Sequence, residues 1–93
     1  MQDYHIMLKV EKEITIRGSQ GLHARPAALF VQIASKYNSK IIVRKGKERV
    51  NGKSIMGILM LAAQQNSKVI LEVSGDDATE AAKELETFLT THE

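Results

Sequence analysis

Leu8, Val10, Ile14 and Ile16 fall on one parity with Lys12 as the single lapse, which predicts a first strand over residues 8–16. Gly18-Ser19-Gln20-Gly21 interrupts that alternation. From Ala24 the period lengthens: Ala27, Phe30, Val31 and Ala34 stand at i, i+3, i+4 and i+7, one stripe of a helix. Leu29, Ile33 and Tyr37 widen the stripe, and Asn38-Ser39 ends it. Residues 40–44 are β-rich, Lys45-Gly46 is expected to turn the chain, and residues 47–50 to return as a strand. Asn51-Gly52 predicts another turn, after which Ser54 precedes an apolar helical run from Ile55 to Ala63. Gln64-Gln65-Asn66-Ser67 closes that run, with Asn66 as the left-handed residue past its end. Val69, Leu71 and Val73 alternate as a fourth strand, and Ser74-Gly75-Asp76 turns. Asp77 with Glu80 three residues on has the form of a capping box, and Ala81, Leu85 and Phe88 mark the buried stripe of a last helix.

The predicted order is β-α-β-β-α-β-α. A helix between the first two strands makes them parallel neighbours, or leaves a gap into which a later strand inserts antiparallel. The second arrangement is a split β-α-β unit. It gives an α+β, open-faced sandwich: a four-stranded antiparallel sheet with three helices on one face. Residues 9–93 are expected to form one domain, and residues 1–8 an N-terminal extension that lengthens the first strand or frays, with Met7 as an alternative start.

Composition narrows the chemistry. The chain has 93 residues, 43% of them hydrophobic, enough for one modest core. No stretch approaches the roughly 18 unbroken apolar residues of a membrane span, and the charged first 20 residues do not read as a signal peptide. A cytoplasmic protein without membrane insertion is expected. The absence of Cys excludes disulfides, thiol catalysis and cysteine-ligated metal. The net charge of +2 hides an asymmetry: residues 17–68 hold ten Lys/Arg against Glu48 alone, and residues 69–93 hold seven acids against Lys83. A basic middle could meet phosphate, nucleic acid or an acidic protein.

Gly21-Leu22-His23-Ala24-Arg25-Pro26-Ala27-Ala28 carries the chemistry, where the first strand hands over to the first helix. Pro26 fits a first-turn helical position, because its missing N–H has no intrahelical partner there. His23 then falls at or beside the N-cap, and the Ala24 and Arg25 amides point out of a helix end that favours anions. Arg25 adds a guanidinium suited to phosphate oxygens. Neutral imidazole is a competent nucleophile near neutral pH, and the positive surroundings favour that form. Attack on a phosphoryl group would place negative charge where donors already wait, in a labile phosphoramidate. The inference is a covalent phosphoryl carrier. Taken singly, a His near a helix start is more often a cap or a solvated side chain, and an Arg a surface charge; the combination argues for an anion site.

The same eight residues resemble the phosphorylation-site signature of HPr, the histidine-containing phosphocarrier family of the bacterial phosphoenolpyruvate-dependent phosphotransferase system. Val50-Asn51-Gly52-Lys53-Ser54-Ile55-Met56-Gly57 resembles the family's regulatory serine segment. Both motifs stand in the family's order and separation, and the resemblance spans about residues 9–91. It implies a fold of HPr type and a carrier with no turnover of its own. His23 would accept phosphate on Nδ1 from enzyme I and pass it to enzyme IIA components in sugar uptake. Arg25 would pair with the phosphoryl oxygens, completed by the Ala24 and Arg25 amides. Ser54 would be the site of HPr kinase/phosphorylase in organisms that have it. A nitrogen-related regulatory paralogue shares these motifs and stands as the alternative circuit.

Ser54 is also an ordinary N-cap, and capping alone accounts for it. Phosphorylation there would add roughly −1.5 to −2 charges at a helix N-terminus, altering association more than folding. The helix after it is too apolar to bury every side. Ile55, Met56 and Leu59 are assigned to partner docking, with Arg25, Lys53 and Arg49 as a basic rim suited to a transient complex. His5 and His92 share no metal-ligand spacing with His23 and are expected to be exposed terminal residues. No metal, cofactor or nucleic acid is expected, and the chain is expected to be a monomer. Two other classes remain: a basic nucleic-acid-binding α+β module, weakened by the lack of an aromatic platform, and a phosphate-cleaving enzyme, weakened by the lack of a base or metal set.

Overall fold

A computed structural model describes residues 8–92. The elements are β1 (Lys9–Thr15), α1 (Ala24–Ser35), β2 (Lys40–Lys45), β3 (Glu48–Asn51), α2 (Ile55–Leu61), β4 (Lys68–Ser74) and α3 (Ala78–Thr91). All strand pairings are antiparallel in the order β1-β4-β2-β3. The chain therefore leaves a gap beside β1 and fills it last with β4, the split arrangement expected. The proposed extension over residues 1–8, His5 and the alternative start at Met7 lie outside the described residues but for Leu8.

Strand parity decides which face is covered. Val10, Ile14, Ile41, Val43, Val50, Val69, Leu71 and Val73 point toward the helices, where Phe30, Ile58 and Leu85 complete the core. Lys12, the lapse in the β1 alternation, shares that face. Its ammonium reaches the Glu86 carboxylate of α3 at 2.8 Å, so the charge sits at the margin of the core with a partner. On the opposite, open face Glu72 is only 8% exposed, held by Arg44 at 2.5 Å and Arg49 at 2.9 Å. Those guanidinium groups, Arg49 first, keep its carboxyl below the ordinary carboxylate range.

Several boundaries differ from the sequence expectation, each for a local reason. Leu8 is exposed, whereas Ile16 is buried just beyond the end of β1, its amide bonded to the Ser67 carbonyl. The β2–β3 turn falls at Gly46-Lys47, with Gly46 at φ +59°. Helix α2 stops at Leu61, two residues before the predicted Ala63, because Ala62 is itself left-handed at φ +50°. Ala63 is thereby free to offer its carbonyl to the Leu22 amide at 2.8 Å. Asn66 is left-handed too, at φ +71°, but in the following turn, where its amide donates to the Ile16 carbonyl.

The expected capping box at α3 is not formed. Asp77 is the N-cap residue, yet its side chain makes no capping bond. Its carboxylate crosses instead to the α1–β2 connection and accepts from the Asn38 amide at 2.9 Å, the Ser39 amide at 3.0 Å and the Ser39 hydroxyl at 2.5 Å. Those connection amides lack sheet or helix partners, so a carboxylate satisfying them outweighs a cap. The Ser39 hydroxyl first, then the Asn38 amide, lower the Asp77 carboxyl below its usual range. Glu84, which accepts from Lys36 and from the Tyr37 hydroxyl, is lowered likewise, while Tyr37 is pushed up to about 12.

An acid dependence follows with a defined sign. Groups whose folded carboxyls are depressed contribute stability above the unfolded value and lose it as pH falls through the folded one. Thermal melts should therefore be flat from about pH 7 to 5 and fall steeply below about pH 4, where ordinary carboxylates begin to protonate. The Asp77→Asn variant should begin with a lower melting temperature and show a shallower acid limb. An unchanged limb would contradict this assignment.

Candidate functional site

The chain leaves β1, runs through Arg17 to Leu22 and enters α1 at His23. Two bonds fix this passage: the Arg17 amide donates to the Leu89 carbonyl at 3.0 Å, and the buried Leu22 donates to Ala63. Gly21 holds φ +60° where a Cβ would lie 2.4 Å from the Ala63 oxygen and 2.8 Å from Gln64 Cα. The backbone at the end of α2 is therefore pressed against the approach to His23, and only glycine admits that contact.

His23 is the N-cap residue of α1, with extended backbone and no side-chain capping bond. Its carbonyl accepts the first helical bond, from the Ala27 amide at 2.7 Å. Ala24 and Arg25 precede that bond, and Pro26 has no N–H to offer. The first turn thus presents two amides, those of Ala24 and Arg25, that donate to no acceptor among the described residues. They coincide with the positive end of a 12-residue helix, equivalent to roughly half a charge. His23, Ala24 and Arg25 are all exposed, while Pro26 and Ala27 are buried and anchor the turn. The imidazole is solvent-facing beside two free donors and a guanidinium, an arrangement able to seat a phosphoryl group on the ring.

A cleft of about 460 Å³ is lined by Gln20, His23, Ala24, Arg25, Pro26 and His92. Ser19, Gln20, His23, Gln64 and Gln65 line a second hollow on the other side of His23. Sequence reasoning left Gln20 without a role, read Gln64 and Gln65 as turn residues, and placed His92 in solvent. In the fold His92 is half-buried and stacks on Phe88, ring centroids 4.8 Å apart. No local pattern signals this, since it depends on α3 ending beside the start of α1. Among the described residues no cluster of His, Asp or Glu could hold a metal ion.

The docking residues divide. Ile55 is 42% and Met56 64% exposed on α2, but Leu59 packs against the core, and the exposed place one turn beyond Met56 belongs to Met60 at 70%. Lys53 turns its ammonium to the Tyr37 carbonyl at 2.6 Å, tying the start of α2 to the end of α1. Arg49 lies on the open face of the sheet with Glu72, away from α2, and so does not rim the patch.

Ser54 is the N-cap of α2, its hydroxyl accepting from the Gly57 amide at 3.1 Å. Replacing it by Ala should cost about 1 kcal/mol, read from urea denaturation, with phosphoryl acceptance at His23 unchanged. A neutral effect on stability would mean that the cap contributes nothing.

Comparison with known proteins identifies the family. The family model described as the PTS HPr component phosphorylation site matches residues 10–91. The chain is 44% identical over 80 residues to the HPr-like protein Crh of Halalkalibacterium halodurans, covering 86% of this chain and 95% of that one. It is 45% identical over 76 residues to the phosphocarrier protein HPr of Neisseria meningitidis serogroup A, covering 82% and 85%. The crystal structure of a phosphocarrier protein HPr from Bacillus anthracis superposes with a TM-score of 0.85 at 41% identity, over 87% of this chain and 96% of that one. A four-stranded open sheet, an exposed imidazole at the start of α1 and these likenesses converge: the chain belongs to the HPr family, phosphocarriers rather than enzymes with turnover of their own.

Proposed function

We propose that His23 takes a phosphoryl group from enzyme I and passes it to enzyme IIA components of sugar uptake. The observation that carries this reading is the exposed His23 ring, free of any capping bond, beside the unpaired Ala24 and Arg25 amides. The Nδ1 lone pair of the neutral imidazole forms a bond to phosphorus as the donor's bond to phosphorus breaks. Negative charge on the equatorial oxygens is met by the two amides and Arg25. On transfer the acceptor's nucleophile attacks phosphorus, the N–P bond breaks and the neutral ring is restored. Every group in this scheme comes from one chain, so the transfer itself needs no second copy.

Ile55, Met56 and Met60 form the exposed apolar strip of α2. It runs from Ser54 toward Ala63, which contacts the His23 loop. It suits a partner that must bring a nucleophile to His23 and leave quickly. Substituting Asp for both Met56 and Met60 should weaken enzyme I binding roughly tenfold, about 1.4 kcal/mol, with an unchanged melting temperature. Unaltered affinity by calorimetry would remove the strip from the docking face.

Similarity to an HPr-like Crh protein, together with the resemblance of residues 50–57 to the family's regulatory serine segment, favours a second reading in which phosphorylation of Ser54 by HPr kinase/phosphorylase regulates the chain. One experiment separates them. The protein is incubated with phosphoenolpyruvate, enzyme I and Mg²⁺, then with enzyme IIA, and in parallel with the kinase and ATP. Acid-labile label on His23 that chases to enzyme IIA supports transport. Label that is not passed on, with acid-stable label on Ser54, supports regulation. No label on His23 defeats the carrier reading.

A further inference from the structure

His92 belongs to the phosphoryl cleft. It stands at the end of α3, its amide donating to the Phe88 carbonyl at 3.0 Å and its ring stacked on Phe88 at an interplanar angle of 19°. Phe88 packs edge-on against Phe30, which is fully buried, so the imidazole is carried on an aromatic ladder rooted in the core. From behind, residue 92 borders an apolar hollow with Ile16, Leu22, Phe88 and Leu89. In front it lines the polar cleft with His23, Arg25 and Gln20. The loop leading to His23 also packs on this point, since a Cβ on Gly18 would lie 2.6 Å from the His92 carbonyl oxygen.

The ring nitrogens of His92 have no hydrogen-bond partner among the described residues. Among the described residues, the only titratable side chains that share either hollow with it are His23 and Arg25, and no described carboxylate lines them. A donor held in place, sharing its cleft with cationic and neutral groups and with no anion among the described residues, is complemented by an anion arriving in the cleft. Resting on the phosphocarrier reading, we propose that His92 is a second phosphate-contacting residue, whose imidazole donates a hydrogen bond to the phosphoryl group carried on His23.

The linkage runs both ways. A phosphoryl group beside His92 raises its proton affinity, and the His92 donor holds the phosphoryl in its dianionic form to lower pH. His23 can be modified chemically with phosphoramidate, without enzyme I, and both groups followed by NMR across pH. The His92 titration midpoint should rise by about one unit on modification. In the His92→Phe variant, which keeps a ring on Phe88 but has no donor, the ³¹P midpoint of the phosphoryl group should move up. The His92→Gln variant should bring it part of the way back. These midpoints would not respond to a merely structural loss at residue 92. If His23 is modified and the His92 midpoint stays put, with ³¹P titrations alike in all three proteins, the inference is overturned while the carrier reading stands. If His23 takes phosphate from neither phosphoramidate nor enzyme I, both fall together.

Discussion

The His23→Gln variant should accept no phosphate from enzyme I and phosphoenolpyruvate while melting within a degree or two of the parent. The side chain is exposed and makes no capping bond, so a substitution there falls within roughly 0.5 kcal/mol of neutral. Glutamine keeps polarity and approximate length but lacks the ring nitrogen lone pair that bonds to phosphorus. Arg25→Ala should behave differently. It leaves the nucleophile and both amides in place and removes one charge-assisted contact of about 1.5–3 kcal/mol, which slows acceptance roughly 10- to 100-fold without abolishing it. The pair separates making the bond from stabilising the charge. Acceptance by the Gln variant at the parental rate would move the site elsewhere.

A second large effect is expected at a residue with no chemistry. Gly21 and Gly46 have nearly the same backbone, φ +60° and φ +59°. A Cβ on Gly46 meets nothing within 4 Å, whereas one on Gly21 meets Ala63 and Gln64 backbone at 2.4 and 2.8 Å. The Gly46→Ala variant should lose about 1 kcal/mol, the left-handed penalty alone. Gly21→Ala carries the same penalty plus a collision with main chain that cannot swing aside, and should lose about 3 kcal/mol or more. Phosphoryl acceptance should fall with it, because the approach to His23 must separate from the end of α2. Equal losses in the two variants, measured by urea denaturation, would show that the close approach does not matter.

Much of this site was readable before folding. Pro26 after His23 and Arg25 determines where a helix can begin, and a helix beginning there leaves two amides free beside the imidazole whatever the rest of the chain does. The strand parity was equally local, and even its lapse at Lys12 has a tertiary answer in Glu86. What escaped is what depends on distant segments meeting. Asp77 looked like a cap from its spacing to Glu80, but spacing cannot reveal the unsatisfied amides of Asn38 and Ser39 waiting across the fold. Arg49 looked available because it is basic and near Ser54 in sequence, yet one step of strand parity sends it to the far face and to Glu72. Met60 was passed over in favour of Leu59 for a similar reason: an apolar helix does not disclose which of two adjacent residues will lie half against the core and which will stand exposed. His92 is the extreme case, because among the described residues none of its sequence neighbours lines that cleft with it.

The most direct test of the account is a pair of ¹H–¹⁵N spectra taken before and after enzyme I loads the protein with phosphate. The resonances of the Ala24 and Arg25 amides should shift furthest downfield and gain protection from exchange, as two free donors acquire phosphoryl oxygens. Those two amides standing still while phosphate is retained on the protein would contradict it.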